Sequence, residues 1–241
     1  MTHCPIQHAK AYPFAIPQGS YILDAGGWRP LEGVPQLKDR HAVIASGSNA
    51  SPERLQSKYA EHPELLDAGI PVLRAQLHDF DSVYSAHIAN YGAIPATLAF
   101  APGAVADVFV TWLTDAQLEH MHQTEAVGVN YDYVKLSGIH LLCDSGAGLT
   151  AAHAYISKRG CLNKGGTPVS LAALGTKGRQ WRAMTQEQVL DFARTQIAPQ
   201  EDSDTFIRQH IDCATVRAER SASLSQDALP HGCPGVSVIS A

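Results

Sequence analysis

Apolar positions along most of the chain fall into short runs, and only a few stretches carry a helical period. His41-Ala-Val-Ile-Ala-Ser46 is an apolar run suited to a buried strand. Gly47-Ser48-Asn49 breaks it. Ser51-Pro52-Glu53 then predicts a helix start, with serine as N-cap, proline at the first helical position and a carboxylate in the first turn. Four β-like runs follow, at residues 72–77, 82–88, 96–100 and 104–113, separated by Pro, Gly, Asp and Asn. Thr114-Asp-Ala-Gln117 has the spacing of a capping box and predicts a helix reaching about Glu125, stopped by Gly128 and Asn130. Two more β runs cover residues 131–143 and 149–157. A second capping box, Thr185 with Gln188, predicts a helix to about Ile197, ahead of Pro199. Residues 201–217 suit one further helix, and the stretch from Ser221 reads as a loose polar tail.

Short strands at close spacing with few helices predict an α+β domain built on a mixed, mostly antiparallel β-barrel or sheet with flanking helices. Residues 1–40, broken by Gly26-Gly27, Pro30 and Pro35, read as an irregular N-terminal arm. The domain itself is expected over 41–200, with a C-terminal helix and tail over 201–241. No G-x-G-x-x-G, P-loop or G-x-S-x-G pattern occurs, which removes the commonest nucleotide-binding and serine-hydrolase readings.

Composition narrows the class. Of the 241 residues 45% are hydrophobic and only 17% charged, which excludes a disordered chain or a coiled coil. A formal charge of -5 argues against nucleic acid as the partner. The five cysteines, Cys4, Cys143, Cys161, Cys213 and Cys233, form no C-x-x-C pair and fit reduced thiols in a cytoplasm. No membrane span or secretory signal is evident. The twelve histidines include no i, i+4 pair, so neither a metal site nor a cofactor is expected. The average charge conceals one asymmetry. Between Ser145 and Gln186 there is no acidic residue, but Lys158, Arg159, Lys164, Lys177, Arg179 and Arg182 are all present. This stretch reads either as a mobile basic loop near a pocket mouth that recruits an anionic substrate, or as a solvated loop or subunit contact.

Two features carry candidate chemistry. Leu118, Met121 and Glu125 are spaced to share one helix face, which puts a carboxylate at the end of an apolar stripe and at a helix C-terminus. Burial and the carbonyl end of the helix dipole would both raise its pKa towards the range of a general acid/base. The alternative is a frayed helix end with Glu125 in water. The turn Ser46-Gly47-Ser48-Asn49 is the second feature. Its glycine permits close backbone approach beside the free N–H groups of the next helix, a cradle for a carboxylate or phosphate or else simply a tight connection.

Taken in order, these segments resemble the gamma-glutamylcyclotransferase-like family, which includes the plant AIG2-like proteins. Val43-Ile-Ala-Ser-Gly-Ser-Asn49 resembles the family's strand ending in Tyr-Gly-Ser-Asn, and Ala93-Ile-Pro-Ala-Thr97 the strand before its hairpin. Residues 108–118 with His122-Gln-Thr-Glu125 resemble the segment that leads to the catalytic glutamate. Asn130-Tyr-Asp-Tyr-Val-Lys135 resembles the strand after it. The resemblance covers residues 42–157. Ser46 stands where the motif has tyrosine, so an aromatic wall must come from elsewhere or the substrate differs.

The resemblance implies a cofactor-free cyclotransferase that releases an amine or amino acid from a γ-glutamyl compound and forms 5-oxoproline. It implies Glu125 for proton transfer and Gly47, Ser48, Asn49 and Ala50 as the substrate cradle. Tyr131 and Tyr155 are candidate pocket walls or hydroxyl donors, or else strand residues packed on the core. The alternatives are an amide hydrolase or ring-processing enzyme of the same fold, or a non-catalytic binding module. The expected partner is a small anionic molecule, with no nucleic acid and no membrane, and a homo-oligomer is compatible.

Overall fold

The computed structural model describes residues 4–239. Its centre is a ring of five strands: β3 (His41–Ala45), β4 (Ile70–Tyr84), β5 (Ala96–Leu113), β6 (Tyr131–Cys143) and β7 (Gly148–Ser157). β4 pairs with β5, β5 with β3, β7 with β6 and β6 with β4, all antiparallel, whereas β3 and β7 run parallel. The circuit closes, so these five form a barrel without free edges. Alternation along the strands sends Ile44, Leu73, Leu77, Val108, Val110, Leu136 and Leu141 into one buried cluster. A second cluster joins the barrel's other face to the helices through Leu55, Leu118, Met121, Val189 and Phe206. The fold is thus α+β, with a mostly antiparallel barrel and flanking helices.

Two pairs of expected strands are in fact single long ones. Residues 72–77 and 82–84 belong to β4, so the expected run 82–88 stops short at Tyr84, and 96–100 and 104–113 belong to β5. The polar breaks between them are accommodated by a bulge. Asp79 adopts φ +65 where the register shifts, and its carboxylate accepts the Gly103 N–H at 2.7 Å.

The 1–40 arm is not irregular. It contains helix α1 (Pro5–Lys10) and the hairpin β1 (Tyr21–Asp24) with β2 (Gly27–Pro30), and β1 pairs antiparallel with the start of β4. Ala25-Gly26 makes the hairpin turn and Gly27 opens β2, with Asp24 accepting the Gly26 N–H. Residues 203–238 are likewise regular for the most part. Helices α5 (Ser203–Asp212) and α6 (Ala214–Ser225) divide at Cys213, and strand Val236–Val238 pairs with β6.

Both capping boxes form. They start α3 (Asp115–Thr124) at Thr114 and α4 (Gln186–Ile197) at Thr185. Helix α2 (Pro52–Lys58) follows Ser51, but its serine makes no side-chain cap, and that hydroxyl is buried without a partner. All five cysteines are free. Among the described residues no helix is long and apolar enough to cross a membrane.

Candidate active site

The turn after β3 and the C-terminus of α3 meet at a cavity of about 320 Å³. Gly47, Ser48, Asn49, Glu125, Tyr131 and Tyr155 all line it. Ala50 does not: it is fully buried behind the wall, and its N–H is committed to the Gly47 carbonyl at 3.0 Å. The glycine is required by proximity, since φ at Gly47 is -161 and therefore ordinary extended backbone. A Cβ there would run into the Tyr12 hydroxyl and lie 3.0 Å from the Ala96 Cβ.

Glu125 caps α3, on the same face as the buried Leu118 and Met121. Its side chain is 13% exposed, so it is not a frayed end in water. Oε1 accepts from Asn49 Nδ2 at 2.8 Å and from Lys58 Nζ. Oε2 has no hydrogen-bond partner among the described residues and is left to the cavity. The chain then turns sharply through Ala126, which sits at φ +50 and also lines the cavity.

The expected direction of the Glu125 pKa is corrected. Burial pushes the carboxyl up, as the apolar stripe implied. The Lys58 ammonium, by charge and hydrogen bond, together with the Asn49 amide and the Arg54 charge, outweighs that and holds it below the ordinary glutamate range. Lys58 is 4% exposed, and its own pKa is lowered by burial despite the Glu125 charge. Sequence reasoning missed this lysine. The available signal was spacing: Arg54 and Lys58 stand four apart on α2, and Lys58 lies three beyond the fully buried Leu55. That spacing turns Lys58 inward.

Two further tyrosines reach the cavity from elsewhere in the chain. Tyr12, from the arm, and Tyr91, from the β4–β5 loop, both line the cavity. The Tyr12 hydroxyl accepts the Ala96 N–H at 2.7 Å, and Tyr91 lies under the Arg54 guanidinium at 5.3 Å. Tyr131 donates its hydroxyl to the Ala96 carbonyl at 3.0 Å, and the Tyr155 hydroxyl bonds His122 Nδ1 at 2.9 Å. Burial raises the pKa of all four phenols, Tyr91 to about 12, so they line the cavity as neutral groups.

The basic stretch 158–182 does not reach the cavity. Arg179 pairs with buried Asp81, Lys158 with Asp132 at 3.2 Å, and Lys164 lies 4.0 Å over the Phe192 ring. The cations that do line it are Arg54, Lys58 and, from α6, Arg217. Arg54 Nε and Asn49 Oδ1 are buried there without a protein partner. Among the described residues no cluster of His, Cys, Asp and Glu has the arrangement of a metal site.

No family model and no curated protein matches the chain. Similar solved structures include a solution structure from Arabidopsis thaliana, 16% identical with a TM-score of 0.37, covering 50% of this chain and 70% of that one. A crystal structure of an uncharacterized Homo sapiens protein is 15% identical with a TM-score of 0.39, over 70% of this chain and 87% of the other. A structure named gamma-glutamyl cyclotransferase is 15% identical with a TM-score of 0.37, over 69% and 86%. Likenesses this distant carry no argument about activity, which rests on the cavity itself.

Proposed function

We propose that the protein is a cyclotransferase acting on a small γ-glutamyl compound, releasing an amine or amino acid and forming 5-oxoproline. The observation that carries this reading is the Glu125 carboxylate, buried and held on one oxygen by Lys58 and Asn49 while the other is open to the cavity. The reaction needs such a group. The α-ammonium of the substrate must lose a proton before its nitrogen attacks, and an ionised Glu125 accepts that proton at Oε2. The new N–C bond forms at the carbon of the γ-carbonyl group while the carbonyl electron pair moves to oxygen. As the carbonyl re-forms, the old amide C–N bond breaks and Glu125 passes its proton to the departing nitrogen; the ring nitrogen's second proton then leaves through Glu125 to the released amine, which departs as an ammonium.

The walls serve orientation. Ring closure gains most from holding the amine against the carbonyl, and the turn at Gly47, Ser48 and Asn49 is the cradle for the glutamyl part. Arg54 and Arg217 line the cavity and match the substrate's negative charge. Tyr12 and Tyr91 supply the aromatic wall that Ser46 does not.

The test is incubation with γ-glutamyl amino acids and γ-glutamyl amines, with 5-oxoproline and free glutamate both measured. Release of 5-oxoproline, lost in Glu125→Gln, is the expected result. Free glutamate in its place would make the protein an amide hydrolase, and neither product would leave a binding module.

A further inference from the structure

One buried histidine in the cavity wall has no part in the chemistry above. His87 lies in the loop between β4 and β5, is 2% exposed, and lines the same cavity as Glu125. Its Nδ1 is 2.6 Å from Ser85 Oγ, and Ser85 Oγ is 2.6 Å from Ser157 Oγ. Ser157 Oγ in turn accepts the Arg159 N–H at 3.0 Å. Nε2 has no partner among the described residues.

The direction of this chain follows from counting donors. Each hydroxyl has one proton to give, and both serines are buried. Ser157 already accepts from a backbone N–H, and Ser85 is the acceptor within its reach, so Ser157 donates to Ser85. Ser85 then has its own proton for His87 Nδ1. A ring that accepts at Nδ1 carries its proton at Nε2. We propose that His87 is a catalytic residue: a neutral imidazole whose Nε2–H, fixed by the Ser85–Ser157 relay, donates to the carbonyl oxygen of the substrate as negative charge develops there. This rests on the cyclotransferase reading. Burial, reinforced by the nearby Arg159 charge, pushes the His87 pKa down to about 3, so the ring stays neutral at working pH. The Tyr131 ring packs edge-on against it at 5.5 Å.

The closing experiment has two independent arms. Side-chain ¹⁵N NMR of the histidines from pH 5 to 8, with the His87 signal assigned by its loss in His87→Phe, reads the tautomer without any substrate. An Nε2–H ring that does not titrate, and that becomes a tautomer mixture in Ser85→Ala, is the expected result. An Nδ1–H ring, or titration near the ordinary histidine value of about 6.5, would overturn the assignment. In the kinetic arm, His87→Phe lowers kcat about 10²–10³-fold with KM little changed, and His87→Gln recovers part of it. Full kcat in His87→Phe overturns the catalytic role alone. A wild type that releases no 5-oxoproline overturns the cyclotransferase reading and with it the carbonyl role, while the NMR arm still decides whether His87 is a donor.

Discussion

Asp81 and Glu125 are both withdrawn from solvent, and they are held differently. Asp81, on β4, is fully covered and saturated: Ser170 Oγ donates to it at 2.6 Å, Thr176 Oγ1 at 2.5 Å and Arg179 Nε at 3.3 Å, with both oxygens occupied. Glu125 is almost as buried, yet its partners converge on one oxygen and the other opens to a cavity. Burial alone therefore does not mark a site. What separates a clamp from a reactive group is an unspent acceptor beside empty volume. Asp81 ties the 170–179 loop to the barrel, and Glu125 keeps an oxygen free for the proton transfer proposed above.

The comparison can be broken by swapping the expected consequences. Glu125→Gln should lower turnover of a γ-glutamyl substrate about 10²–10⁴-fold while the melting curve stays cooperative. Asp81→Ala should do the reverse, costing about 3–5 kcal/mol in denaturant unfolding because Arg179 is left without its charge partner, with turnover per folded molecule unchanged. A large kinetic defect in the Asp81 variant would erase the distinction.

The pH profile sharpens it further. Because Glu125 is held below its ordinary range, the stabilisation from its ionised form is present above the unfolded glutamate value. It is lost as pH falls through the folded value. The acid limb of activity should accordingly lie below about pH 4.3, the ordinary glutamate value. In Lys58→Met burial acts with less opposition, and that limb should rise by about one to three pH units in a kcat profile. An unmoved limb would show that Lys58 does not set the charge of Glu125.

Smaller effects test the wall. Gly47→Ala should cost about 1–3 kcal/mol, since the added methyl must displace Tyr12. Tyr12→Phe removes the acceptor of the Ala96 N–H and should cost about 1 kcal/mol, read from thermal unfolding.

The local features were legible in the sequence because their causes are local. Thr114 with Gln117 and Thr185 with Gln188 satisfy their own backbone groups within one turn, so spacing alone announces them. The turn at Gly47 and the inward face of α3 are equally short-range. Lys58 was not legible in the same way, for its partner stands 67 positions away and reverses the pKa direction that Glu125's own helix suggested. The arm was misread for a related reason. Its glycines and prolines do interrupt the chain, but β1 is specified by pairing with residues 70–72, which no local pattern displays. The basic stretch misled because charge counted along the sequence ignored Asp81 and Asp132, which pair with Arg179 and Lys158 in space and away from the cavity.

Tyr12 and Arg217 stand on the same cavity although one belongs to the arm and the other to α6. A chain is made from its N-terminus, so the first of these walls exists long before the second. During synthesis the barrel can close and Glu125 can find Lys58 while one side of the chamber is still missing. The chamber is thus completed late, with the docking of α6, and a product cut short before Arg217 would lack that wall as well as the core residue Leu224.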